Sequence, residues 1–176
     1  DKGLPHRKLT EHSATMTLGT ELASLPYTSQ WHGDFHREMR AFFADYMSFC
    51  RMSFVTQVSN CRITQENVAN NLWAYHACPP INALKRRFAG HPAIVVSAGP
   101  SLARNVHLLR EAKGRAVIIA VQTTLKNLLK MGVEPDFVTS LDYHEISRQF
   151  FEGIDSFGRI HLVAEPKVTW HVPDAF

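Results

Sequence analysis

The six residues Ser97-Ala98-Gly99-Pro100-Ser101-Leu102 have the types and order needed to hold an anion. Gly99 permits a tight turn and a close backbone approach by a ligand. Pro100 fixes φ and lacks an N–H, which suits the first turn of a helix. Ser101 can cap that helix, or it can offer its hydroxyl and N–H to an anion, because a helix N-terminus is a ready phosphate seat. Asn105 stands one turn on, and Thr123 and Thr124 follow a second apolar run. The candidate nucleotide-binding residues are therefore Gly99, Pro100, Ser101, Leu102, Asn105 and Thr123. Asp142 and His144 are the candidate catalytic pair. Asp142 could hold a magnesium ion, bond a ribose or act as a base, and His144 could give or take a proton. Plainer roles compete: Gly99-Pro100-Ser101 as a structural turn, Asp142 as a helix N-cap before Glu145, and His144 as a surface loop histidine. Glu165 and Lys167 supply a further acid and cation.

Several chemistries lack their residues. A dinucleotide fingerprint needs three glycines, and only Gly99 is present. Gln122 replaces the acid that would hold a ribose. No Gly-Lys-Ser/Thr follows the turn, and no Gly-x-Ser-x-Gly elbow occurs. His32 and His36 have metal-compatible i, i+4 spacing but no third ligand nearby. Cys50, Cys61 and Cys78 are odd in number and irregularly spaced, which predicts reduced thiols and a cytoplasmic location.

The elements that would carry these residues show in the apolar pattern. Ala93–Ser97, Ala116–Val121, Asp136–Leu141 and Arg159–Ala164 read as short buried strands. Between them, Leu102–Ala112, Thr124–Met131 and Glu145–Glu152 read as helices. Such alternation predicts βαβ units and a parallel sheet. Ligands then bind beyond the carboxyl ends of the strands. That rule selects the Gly99 turn, Gln122-Thr123, Asp142-Tyr143-His144 and Glu165-Pro166-Lys167. Upstream, Asp34 can start a helix running to about Val58, with an aromatic and Met-rich stripe read as a packing surface. Thr64 can cap a second helix that ends at Pro79-Pro80. Ile81–Phe88 reads as a shorter helix, closed by Gly90.

The expected fold is thus α/β, a Rossmann-like parallel sheet with flanking helices behind a helical N-terminal segment. Residues 1–33, with Pro5, Gly19, Pro26 and Gly33 as breakers, read as a linker or loosely packed lead-in. Residues 34–90 read as the helical segment and 91–176 as the nucleotide-binding domain. The chain starts without Met and stops soon after a strand-like run, which predicts a truncated domain from a longer protein. Of 176 residues, 45% are hydrophobic and 20% charged, enough for a globular core. The net charge of +3 has one basic cluster, Lys85-Arg86-Arg87, and argues against nucleic acid as a partner. Neither a signal peptide nor a membrane span is read.

Three segments together resemble a known family. Pro92–Leu102 looks like the nucleotide-site signature of the motility accessory factor family, which includes flagellin glycosyltransferases acting with nonulosonic, sialic-acid-like sugars. That family shares a domain with archaeal 6-hydroxymethylpterin diphosphokinases (MptE-like). Ile118–Leu125 is similar to its second strand and turn. Leu128–Val138, followed by Leu141-Asp142, resembles its Gly-x-x-Pro-Asp third strand. The resemblance covers roughly residues 67–170 and extends distantly to bacterial sialyltransferases. It implies a nucleotide-activated donor, CMP-linked, with its phosphate on Gly99, Pro100 and Ser101 and a protein acceptor such as flagellin. The alternatives it leaves are pyrophosphoryl transfer from ATP with Mg2+ held by Asp142, or a non-catalytic nucleotide-binding module.

Overall fold

Residues 9–23 and 25–176 are described by a computed structural model. The Pro5 breaker of the lead-in lies outside them. The chain divides into two compact units between Cys61 and Arg62.

The first unit is helical. It holds α1 (Ser13–Thr17), α2 (Pro26–Trp31) and the larger part of α3 (Gly33–Asn70). Tyr46 and Cys50, one turn apart on α3, bury against Met16 of α1, with Leu9, Phe43 and Met47 around them. Part of the predicted stripe therefore packs. Phe35 and Phe49 on the same helix remain exposed.

The helix α3 is continuous for 38 residues, where the sequence predicts one helix ending near Val58 and another starting at Thr64. No Gly or Pro interrupts it between Asp34 and Asn70. Its polar residues turn inward on their own backbone: Thr56 Oγ1 donates to the Met52 carbonyl at 2.8 Å, and Asn60 Nδ2 to the Thr56 carbonyl at 2.7 Å. Such i−4 bonds satisfy these side chains inside a helix, so they need not end one. After α3 come α4 (Leu72–Ala77), which stops before Pro79-Pro80, and a 3-10 turn (Ile81–Leu84) shorter than the predicted helix. Gly90 closes this segment with φ 82°.

The β-branched runs form the strands. β1 (Ala93–Val96), β2 (Val117–Val121), β3 (Phe137–Ser140) and β4 (His161–Ala164) make one parallel sheet in the order β1-β2-β3-β4. The connections are α5 (Leu102–Ala112), α6 (Gln122–Lys130) and a 3-10 helix (Glu145–Phe150). The register Val96↔Ala120, Ala120↔Val138 and Val138↔Leu162 puts these residues on one face. Leu109 of α5 and Leu128 of α6 close over Val96, Ile118 and Ala120. Leu125 of α6, Phe151, Val168 and Val172 close over Val138. The other face carries Ile119, Phe137 and Val163. Together with Ile81, Leu84 and Phe88 it forms a groove of about 360 Å³.

Candidate functional site

Parallel register brings the four strand ends to a single edge. Val96 pairs with Ala120, Val121 with Thr139, and Ser140 with Ala164. The Gly99 turn, Gln122-Thr123, Asp142-His144 and Glu165–Lys167 all leave from that edge. Neighbouring strands lie about 4.8 Å apart, so the β1 turn and the β3 loop are separated by roughly 10 Å. The four strands run in sequential order with no reversal, and the Gly99 turn leaves the β1 side of the sheet.

The turn is built tightly. Gly99 N donates to the Ser97 carbonyl at 2.9 Å, and Leu102 N to the Gly99 carbonyl at 3.0 Å. Ser101 occupies the N-cap position of α5 with helical dihedrals (φ −68°, ψ −26°) and makes no side-chain cap bond. Its exposed hydroxyl thus accepts no backbone N–H of the first turn. Gly99 has no positive φ. A Cβ built on it would meet only Ser101 Oγ, at 3.8 Å. Pro100 and Asn105 are exposed, and Leu102 is half-buried against the α5 core.

Asp142 does not cap the following 3-10 helix; His144 holds that position. Instead, Asp142 Oδ1 accepts from the His144 backbone N–H at 3.0 Å and faces His144 Nδ1 at 2.8 Å. An ionised carboxylate can only accept, so this pairing favours a hydrogen on Nδ1 and leaves Nε2 facing away from Asp142. Partial burial raises the Asp142 carboxyl. The His144 backbone N–H, the His144 ring and the Ser147 hydroxyl outweigh that and hold it below its ordinary value of 3.8. His144 is about half exposed.

A partly buried polar chain leads to this pair. Ser140 Oγ donates to Gln122 Oε1 at 2.6 Å, and Gln122 Nε2 donates to Ser147 Oγ at 3.0 Å. The Ser147 hydroxyl then reaches Asp142. Gln122, where a dinucleotide enzyme would place its ribose acid, spends its amide inside the protein. Ser140 and Ser147 carry no local motif, and their meaning appears only when α6, β3 and the β3 loop come together. Thr123 is exposed at the edge. Thr124 is buried and donates to the Val121 carbonyl at 2.8 Å. Glu165 and Lys167 pair at 2.9 Å.

Among the described residues no group of three His, Cys, Asp or Glu side chains is placed to hold a metal ion. A magnesium ion needs only one or two carboxylates beside donor phosphates and water. Asp142 is the carboxylate the sheet edge offers for such an ion, with Oδ1 already accepting from His144.

Asp136, the last residue of the Gly-x-x-Pro-Asp segment, lies at the opposite edge. Its carboxylate accepts from Ile118 N at 2.8 Å and from Lys113 Nζ at 2.6 Å. It anchors the entry to β2 and β3.

A family model described as 6-hydroxymethylpterin diphosphokinase MptE-like matches residues 66–176. The chain belongs to the MptE-like family. The match contains the whole sheet and every residue of the candidate edge. Comparison with curated proteins and with solved structures gives no significant match. Among the described residues, no helix is long and apolar enough to cross a membrane.

Proposed function

We propose that the MptE-like domain binds a nucleotide-activated donor along the carboxyl edge of its sheet and passes the activated group to a hydroxyl. The donor of choice is a CMP-linked nonulosonic sugar, and the acceptor is a protein hydroxyl such as one on flagellin, in the cytoplasm. The observation that carries this reading is the Asp142–His144 pair on the same edge as the Gly99 turn. The anomeric carbon is joined to the phosphate through one oxygen, so the roughly 10 Å between the turn and the β3 loop would be spanned in series by the phosphate, that carbon, the acceptor oxygen and the His144 side chain. The phosphate would rest on Gly99, Pro100 and Ser101, with Leu102, Asn105 and Thr123 alongside. His144 Nε2 would take the acceptor proton as the acceptor oxygen bonds the anomeric carbon. The bond from that carbon to the phosphate breaks, and the N-terminus of α5 stabilises the charge left on CMP.

A second reading, pyrophosphoryl transfer from ATP to a pterin alcohol, is supported by the description of the matching family. There Asp142 would hold Mg2+, which would neutralise phosphate charge. The roles of His144 and the turn are unchanged. A non-catalytic nucleotide-binding module is the third.

Calorimetry and thermal shift with CMP, CMP-sialic-acid-type donors, UDP-sugars and ATP, each with and without magnesium, separate the readings. A ligand held only by the folded state raises stability by mass action. CMP binding without metal, lost in Ser101→Trp, is the expected result. ATP binding that needs magnesium, with no response to CMP, overturns the glycosyl reading in favour of the diphosphokinase. Binding without turnover of any donor favours the module.

A further inference from the structure

Two asparagines behind the candidate edge hold its loops together. Asn67, near the end of α3, and Asn71, just before α4, are four residues apart and both buried. Asn67 Nδ2 donates to the carbonyls of Tyr143 at 2.9 Å and Lys167 at 3.1 Å. Asn71 Nδ2 donates to those of Pro166 at 2.9 Å and Val168 at 2.7 Å. Tyr143 belongs to the loop after β3, with Asp142 and His144. Pro166, Lys167 and Val168 belong to the loop after β4, with Glu165. Thr169 N also donates to the Asp142 carbonyl at 3.1 Å, so the loops are tied to each other as well.

We propose that Asn67 and Asn71 are positioning residues that lock the β3 and β4 loops at the separation a nucleotide-activated donor requires. The inference rests on the proposed function. Its physical basis is the donor count. A carboxamide offers two hydrogens in one plane, whereas serine offers one and aspartate none. Four loop carbonyls, that of Val168 in a buried bond and the other three part-buried, are satisfied by two side chains. Both asparagines are already committed to loop backbone, so they set the geometry of the loops without touching a ligand. Asn71 Oδ1 remains buried and without a partner among the described residues. Stability alone does not favour an orphan acceptor of that kind. Its orientation is explained by what the other end of the amide holds.

The test uses the full chain with Asn67→Ala and Asn71→Ala, and with the milder Asn67→Ser and Asn71→Ser. Asp136→Ala, at the opposite edge, is the structural control. The affinity for CMP, and for ATP with magnesium, is measured by calorimetry at a temperature where each variant is folded. Amide exchange is followed in residues 141–147 and 165–170, against residues 117–121. The expected result is faster exchange in both loops, protection retained in the strand, and nucleotide affinity down by about tenfold in folded protein. The serine variants fall between. Asp136→Ala should lower the melting temperature and leave affinity alone. Unchanged affinity in folded serine variants, or loops as protected as in the wild type, overturns the inference. A wild-type chain that binds neither nucleotide overturns the proposed function, and the inference with it.

Discussion

Gly99 is a glycine that the fold does not explain. Its φ is not positive, and an added methyl group would meet nothing closer than Ser101 Oγ at 3.8 Å. On the proposed reading, the glycine there admits the close approach of the donor phosphate. Gly99→Ala should therefore leave stability unchanged or raise it by about 0.5 kcal/mol, by reducing the freedom of the unfolded chain. It should also weaken nucleotide binding. A melting curve and a titration on the same sample check both halves, and unimpaired binding would remove the ligand from this turn. Asp142 gives a pH dependence with a definite sign. Its carboxyl is held below 3.8, so its contribution to stability is complete above that value and fades as pH falls through the lowered value. Denaturant midpoints taken from neutral pH down through that window should fall more steeply in the wild type than in Asp142→Asn. Parallel curves would mean that the His144 pairing does not favour the ionised form.

At the scale of the element, the Gly-x-x-Pro-Asp segment turns out to be structural. Gly132-Val133-Glu134-Pro135-Asp136 ends in a carboxylate that receives Ile118 N and Lys113 Nζ at the edge remote from the candidate site. Asp136→Ala leaves a partly buried N–H without its acceptor and should cost about 1–3 kcal/mol. Equilibrium denaturation checks the cost, and calorimetry should find nucleotide affinity unaltered. The strands were legible because continuous Val, Ile and Ala runs have few other fates than a parallel sheet. Helix α5 was legible from Leu102, Val106 and Leu109, which pack on the β1–β2 core. The uninterrupted α3 was not, because Thr64 looks like a cap until the helix around it is seen. The Ser140–Gln122–Ser147 chain and the Asn67–Asn71 clamp were equally hidden. Their partners lie 18 to 100 residues away, and nothing local marks an amide that serves a distant carbonyl.

For the whole molecule, two independent divisions nearly coincide. The second compact unit begins at Arg62 and the family match at residue 66, although α3 runs through both positions without a break. Helix continuity is therefore a poor guide to where the fold of the MptE-like unit starts. What that unit needs from α3 is its last turn and a half, which supplies Asn67, with Asn71 following. The sheet and its covering layer come entirely from later residues: the two cores that include Ile118 and Val138 draw on nothing before Ile94. A fragment of residues 62–176 should thus unfold in one cooperative transition and match the full chain in the nucleotide titration. A fragment starting at Leu72 keeps both cores and loses both clamping amides. It should retain the circular dichroism of the sheet and protected amides in β2 and β3, while the loops around Asp142 and Lys167 exchange freely. Cooperative folding depends on burial, and loop order depends on four hydrogen bonds, so the two properties should separate between these fragments. If the shorter fragment collapses altogether, the asparagines belong to the stability of the domain as a whole. If it keeps its loops ordered, the edge is held by the Thr169–Asp142 tie and the Ser147 chain without them.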